Sequence, residues 1–129
     1  MADAYIADAT VLIDYLRAAP SAIEFLTPLL DRRAIVLHPA VLAEVLWGAR
    51  DRRHLVQLDT ELAKLKQCSI KSADMLTAIA LVRTLTLSHG VGWPDCFIAA
   101  TCLRLRLPLM TLNDRHFKPI RGLSVIRPY

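Results

Sequence analysis

The 129-residue chain has only three cysteines and four glycines, and it lacks any long apolar run. Cys68, Cys96 and Cys102 are odd in number and show no C-x-x-C spacing, which argues against a disulfide framework and for a reducing, cytoplasmic setting. No apolar stretch reaches the roughly 18 residues of a membrane span, so no membrane association is expected. Asp3, Asp8 and Asp14 interrupt any signal-like run in the first twenty residues. Neither a His-x-x-x-His pattern nor a cysteine pair offers zinc a site. With no repeat, low-complexity tract or linker, a single domain over residues 1–129 is expected.

What is present suits a compact fold. The composition is 54% hydrophobic and 22% charged, and a domain of this length buries roughly two thirds of the surface its unfolded chain exposes. Sixteen Lys and Arg against twelve Asp and Glu leave a formal charge of +4, which leans weakly toward a polyanionic partner.

Short apolar runs alternate with helical periodicities. Ala4 to Ala7 reads as a strand, Thr10 to Ala19 as a helix stopped by Pro20, and Ser21 as the N-cap of a helix reaching about Arg33. Ala34 to Leu37 reads as the next strand, and Pro39 suits the first turn of the helix carrying Glu44. A helix from the Arg50 to His54 patch through about Lys66, a brief strand at Ser69 to Lys71, and a long helix capped by Ser72 and ended by Gly90 follow. Gly92, Trp93 and Pro94 then turn into a helix from Asp95 to Arg106, with strands at Pro108 to Thr111 and at Val125 and Ile126. Strands alternating with helices, without hairpin turns, predict an α/β fold: a mostly parallel sheet of four to five strands with helices on both faces.

In such a sheet, functional groups gather where strands end and helices begin. Asp8, Asp95 and the Asn113–Asp114 pair all fall at such junctions. An acid there often only caps its helix, but three junctions brought to one sheet edge form a cluster. Glu44 has Ala40, Val41, Trp47 and Gly48 as helical neighbours and no cation among them, which predicts a carboxylate on an apolar stripe in need of a partner. Two carboxylates about 4 Å apart repel by about 4 kcal/mol at an effective dielectric of 20, so the cluster must hold protons or a metal. Oxygen-only ligands favour Mg²⁺, with Mn²⁺ as a substitute.

Four segments together resemble the PIN-domain nucleases, specifically the VapC-type toxins of toxin–antitoxin pairs. They are Ile6-Ala7-Asp8-Ala9-Thr10-Val11-Leu12-Ile13, Leu42-Ala43-Glu44-Val45-Leu46-Trp47-Gly48-Ala49, Pro94-Asp95-Cys96-Phe97-Ile98-Ala99-Ala100 and Thr111-Leu112-Asn113-Asp114-Arg115-His116-Phe117. The resemblance implies a PIN-like three-layer fold and metal-dependent endoribonuclease activity leaving a 5′-phosphate and a 3′-hydroxyl. It implies Asp8 and Asp95 as the chief metal ligands, with Glu44 and either Asn113 or Asp114 acting through water or a second cation. Thr10 matches the family's hydroxyl, whereas Ala9 departs from the Thr or Ser common there. Arg50, Arg52, Arg53, Arg115, His116 and Lys118 are candidates for holding the RNA backbone. A homodimer and a VapB-like antitoxin are the implied protein partners.

Three rivals are weaker. A haloacid-dehalogenase-like phosphatase needs a second Asp where Thr10 stands, and a receiver-like signalling domain leaves Glu44 unexplained. A catalytically inactive PIN fold that only binds RNA or a partner is disfavoured by three intact carboxylates.

Overall fold

Aliphatic triplets make the two central strands. β1 (Tyr5–Ala7) and β2 (Ile35–Leu37) are buried along their whole length, as strands covered on both faces must be. The computed structural model describes residues 3–129. Residues 1 and 2 of the expected domain lie outside the described residues.

The remaining elements follow in chain order. β1 leads to α1 (Ala9–Leu16) and α2 (Pro20–Asp31), and β2 to α3 (Pro39–Trp47) and α4 (Arg52–Leu62). Then come β3 (Lys66–Gln67), α5 (Ser72–His89), α6 (Trp93–Leu105), β4 (Leu109–Met110), α7 (Asp114–Phe117) and β5 (Val125–Ile126). Among the described residues these give a three-layer α/β fold on an all-parallel five-stranded sheet ordered β3-β2-β1-β4-β5.

The chain winds from β1 outward to β3, then crosses back to lay β4 on the other side of β1. That reversal opens a crevice beyond the carboxyl ends of β1 and β4. The pair is held by Ile6 N–H donating to Pro108 O at 3.0 Å and Asp8 N–H to Met110 O at 2.9 Å. Ile6, Leu109 and Ile98 from strand and helix layers sit in the core with Leu26 and Phe117, all at most 1% exposed.

Several local expectations shift by a few residues, each for a backbone reason. α1 ends at Leu16 rather than Ala19, because Ala18 adopts a left-handed φ of 60°. Pro20 does not merely stop that helix; it opens α2 from its first turn with Ala19 at the N-cap, so Ser21 lies inside the helix. A first-turn proline has no N–H to leave unpaired. The strand expected at Ser69 to Lys71 forms instead at Lys66–Gln67, while Arg104 Nη2 donates to Ser69 O at 2.6 Å and engages that carbonyl outside the sheet. Ser72 is the first residue of α5, not its cap: Asp74 accepts the Lys71 N–H at 2.9 Å and does the capping work from inside. α6 begins at Trp93, with Gly92 at its N-cap, which places Asp95 in its first turn.

The fully buried Ile6 occupies the middle of the central strand. Ile6→Ala is expected to lower the unfolding free energy by about 2–5 kcal/mol, read from urea denaturation. A loss under about 1 kcal/mol would contradict this packing.

Candidate active site

Asp8 follows the last residue of β1 and caps α1. Its Oδ1 accepts the Val11 N–H at 3.4 Å and a short bond from the Thr10 hydroxyl, while Oδ2 accepts the Thr111 hydroxyl at 2.5 Å. The side chain is thus pinned from both sides of the crevice, and Asp8 is only 5% exposed. Burial pushes its carboxyl above the usual aspartate range, while the Thr10 and Thr111 hydroxyls pull the other way.

Asp95 and Glu44 stand within electrostatic reach. Burial raises the Asp95 carboxyl, and the charge of Asp8 raises it further; His116 alone opposes, its Nδ1 3.9 Å from Asp95 Oδ2. Glu44 is raised first by desolvation, then by Asp95 and Asp8. The expectation of an apolar stripe around Glu44 is not met: α3 buries Val41 and Val45, and Glu44 as a residue is exposed. The surrounding protein still reduces solvation of its carboxylate. Three acids, one at the junction of β1 and α1 and the others on α3 and α6, therefore repel one another, and no Lys or Arg among the described residues forms a salt bridge to any of them.

The fourth position divides. Asp114 is neutralised by Arg127 Nη1 at 3.1 Å and Lys118 Nζ at 3.2 Å, and these hydrogen bonds, that from Arg127 foremost, hold its carboxyl below the usual range. Asn113 is exposed, with its backbone N–H donating to Thr111 Oγ1 at 2.8 Å and no capping bond from its side chain. Thr10 sits at the junction of both segments, donating to Asp8 and accepting the Leu112 N–H at 3.1 Å.

The expected phosphate-binding cations are spread out. Lys118 is engaged by Asp114, Arg115 is exposed on α7, and Arg52 and Arg53 are exposed at the start of α4. Arg50 lies with Ile13, Leu16, Val45, His54 and Leu58 along a groove of about 500 Å³ between α1, α3 and α4. Sequence reasoning gave no role to Thr111, although it directly follows β4, two residues before Asn113, and its position at that junction was the available signal.

Hard oxygen donors without a Lys or Arg partner among the described residues match the ligand chemistry of Mg²⁺, which binds through one or two carboxylates and keeps several waters. Among the described residues no three His, Cys, Asp or Glu side chains converge closely enough to ligate one ion directly. Asp8 and Asp95 would be the residues to hold a partly hydrated ion, with Glu44 acting through water.

Residues 5–123 match the family model described as PIN domain, and the chain belongs to the PIN-domain family. That membership sets aside the phosphatase and receiver alternatives. No curated protein matches the chain significantly. Its fold is shared with three solved toxin–antitoxin assemblies. One is a toxin–antitoxin complex from Klebsiella pneumoniae (24% identity, 98% of each chain covered, TM-score 0.76). Another is VapBC2 from Rickettsia felis bound to a promoter DNA fragment (22%, 95% of this chain and 96% of that one, TM-score 0.77). The third is DNA-bound VapBC from Salmonella typhimurium (18%, 98% of each, TM-score 0.78).

The like-charge repulsion has a measurable consequence. A carboxyl raised in the folded state binds more protons than in the unfolded chain, so the metal-free protein loses stability as pH rises through the raised value. Asp95→Asn is expected to stabilise the metal-free protein at pH 7 by about 1 kcal/mol. The gain should vanish once pH falls below the ordinary aspartate range. Thermal unfolding across pH checks both; a variant less stable than the parent at pH 7 would contradict the repulsion.

Proposed function

We propose that the protein is a divalent-metal-dependent endoribonuclease and the toxin of a toxin–antitoxin pair. The observation that carries this reading is that Asp8, Glu44 and Asp95 lie within electrostatic reach of one another, with carboxyls raised by burial and, for Glu44 and Asp95, by neighbouring acids, and without a Lys or Arg salt bridge among the described residues. PIN domains are generally nucleases, which supports hydrolysis of nucleic acid, and the three assemblies named above support a small antitoxin as partner.

In this reading Asp8 and Asp95 hold the cation, Mg²⁺ or Mn²⁺, and Glu44 holds one of its waters. When bound, the cation supplies an activated water and charge stabilisation for the phosphoryl oxygens. The chain's own residues do the positioning. Thr111 and Thr10 fix the Asp8 carboxylate, so little of its rotamer freedom remains to be lost on binding. His116, when protonated, offers positive charge beside Asp95 for a backbone phosphate. Arg115 adds an exposed cation one residue away on α7, and Arg50, Arg52 and Arg53 provide a second exposed group. Asp114, held by Arg127 and Lys118, braces the loop, which leaves Asn113 as the better candidate for the fourth position.

A VapB-like antitoxin silences the toxin by covering the crevice, and two toxin chains pair as a homodimer acting in the cytoplasm. Among the described residues no helix is long and apolar enough to cross a membrane.

Purified protein incubated with total RNA and Mg²⁺ or Mn²⁺ is expected to cut at discrete positions, leaving 5′-phosphates. EDTA should abolish cutting, and Asp8→Asn or Asp95→Asn should reduce it by about 100-fold or more, the loss that follows removal of one charge-stabilising group. Absence of cleavage by the folded, metal-supplemented protein would remove the enzymatic reading in favour of an RNA- or partner-binding PIN fold.

A further inference from the structure

A second polar cluster lies in the core, away from the acidic crevice. His38 is fully buried between the end of β2 and the start of α3, and Thr101 of α6 is equally buried. His38 Nδ1 accepts the Ala40 N–H at 3.0 Å, which caps α3. That nitrogen therefore carries no proton, so Nε2 carries it and donates to Thr101 Oγ1 at 2.9 Å. The Thr101 hydroxyl, having accepted one bond, points its own proton toward Asp74 Oδ2 or Phe97 O, each at 3.2 Å. Asp74, only 2% exposed, is gripped by Arg104 through Nε at 2.6 Å and Nη2 at 3.0 Å.

The His38 and Arg104 donors have defined directions, and the Thr101 proton has two acceptors within reach, Asp74 Oδ2 and Phe97 O. Burial lowers the His38 imidazole pKa to about 4, with Asp74 opposing, so it is neutral at pH 7 as the bonds require. The Phe97 ring stands edge-on to it at 4.7 Å. Apolar packing alone would hold α3 against α6 as firmly, since buried polar groups seldom outperform well-packed hydrophobic ones in stability. What directional bonds add is a fixed register.

That register bears on the acids. Glu44 stands six residues beyond His38 on α3, and Asp95 six residues before Thr101 on α6. At 1.5 Å per residue, both acids lie about 9 Å along their helices from the clamp. We propose that His38, Thr101, Asp74 and Arg104 form a positioning relay that locks α3 to α6 and thereby sets the separation of Glu44 and Asp95. The relay itself touches no substrate, and its consequence for cation binding rests on the metal-centre reading above.

The test uses Thr101→Val, which removes the hydroxyl at nearly constant volume, and Thr101→Ser, which keeps it. Mn²⁺ alone is the probe, titrated by electron paramagnetic resonance, with thermal unfolding run alongside. Thr101→Val is expected to stay folded and bind Mn²⁺ about 10-fold more weakly, as loss of a supporting bond does at metal sites, with Thr101→Ser restoring the affinity. Metal-free ¹⁵N–¹H spectra should show the Glu44 and Asp95 backbone amides displaced in Thr101→Val and returned in Thr101→Ser. A lower melting temperature with unmoved amides and unchanged Mn²⁺ affinity would make the cluster merely structural and overturn the proposal. If the parent binds no Mn²⁺, the metal-centre reading falls, and the amide spectra decide the relay on their own: displaced amides sustain it, unmoved amides overturn it.

Discussion

A carboxylate buried at the end of the central strand, without a counter-charge, is the constraint around which the rest of this molecule is arranged. Asp8 leaves water as β1 enters the core, and Asp95 and Glu44 add like charge beside it. Removing a charge from water is costly unless it is paired and hydrogen-bonded. The fold supplies the hydrogen bonds, from Thr10 and Thr111, and withholds the Lys or Arg partner. The resulting local instability is carried by a core running through all three layers, from Leu26 through Ile6 to Phe117.

Five acids have carboxyls displaced from the usual range, and they divide into two electrostatic groups. Asp74 and Asp114 are gripped by arginines, and their carboxyls lie below the usual range. They fasten elements together: Asp74 joins α5 to α6, and Asp114 joins the loop after β4 to Arg127 beyond β5. Asp8, Glu44 and Asp95 shift in the opposite direction. The first pair finds its cations within the chain, whereas the second group forms no salt bridge to Lys or Arg among the described residues, the pattern expected of a functional site.

Stability and site geometry meet in α3 and α6. Each presents an acid to the crevice and each is held by the His38–Thr101 bond in the core. The threonine hydroxyls that orient Asp8 serve the strand end in the same way, since Thr111 also accepts the Asn113 N–H and fixes the loop that follows. One crevice is thus organised by short polar bonds anchored in otherwise apolar layers.

The sequence by itself determined the class of fold, because the alternation of short apolar runs with helical periodicities admits little but a parallel sheet layered with helices. It also determined which junctions matter: Asp8, Asp95 and Asn113–Asp114 are legible as residues following or preceding strand and helix ends. Helix and strand limits were legible only to within a few residues, since the left-handed turn at Ala18 and the capping of α5 from within by Asp74 depend on local backbone geometry. The environment of Glu44 was misread from helical spacing, because periodicity locates a face but not what packs against it. Only the tertiary structure decided that Asp114 is already neutralised by Arg127, thirteen residues away, and that Thr111 orients Asp8 across 103 positions of chain. Electrostatic pairing acts through space over a few ångströms, and a linear sequence carries no record of which distant cations will arrive there.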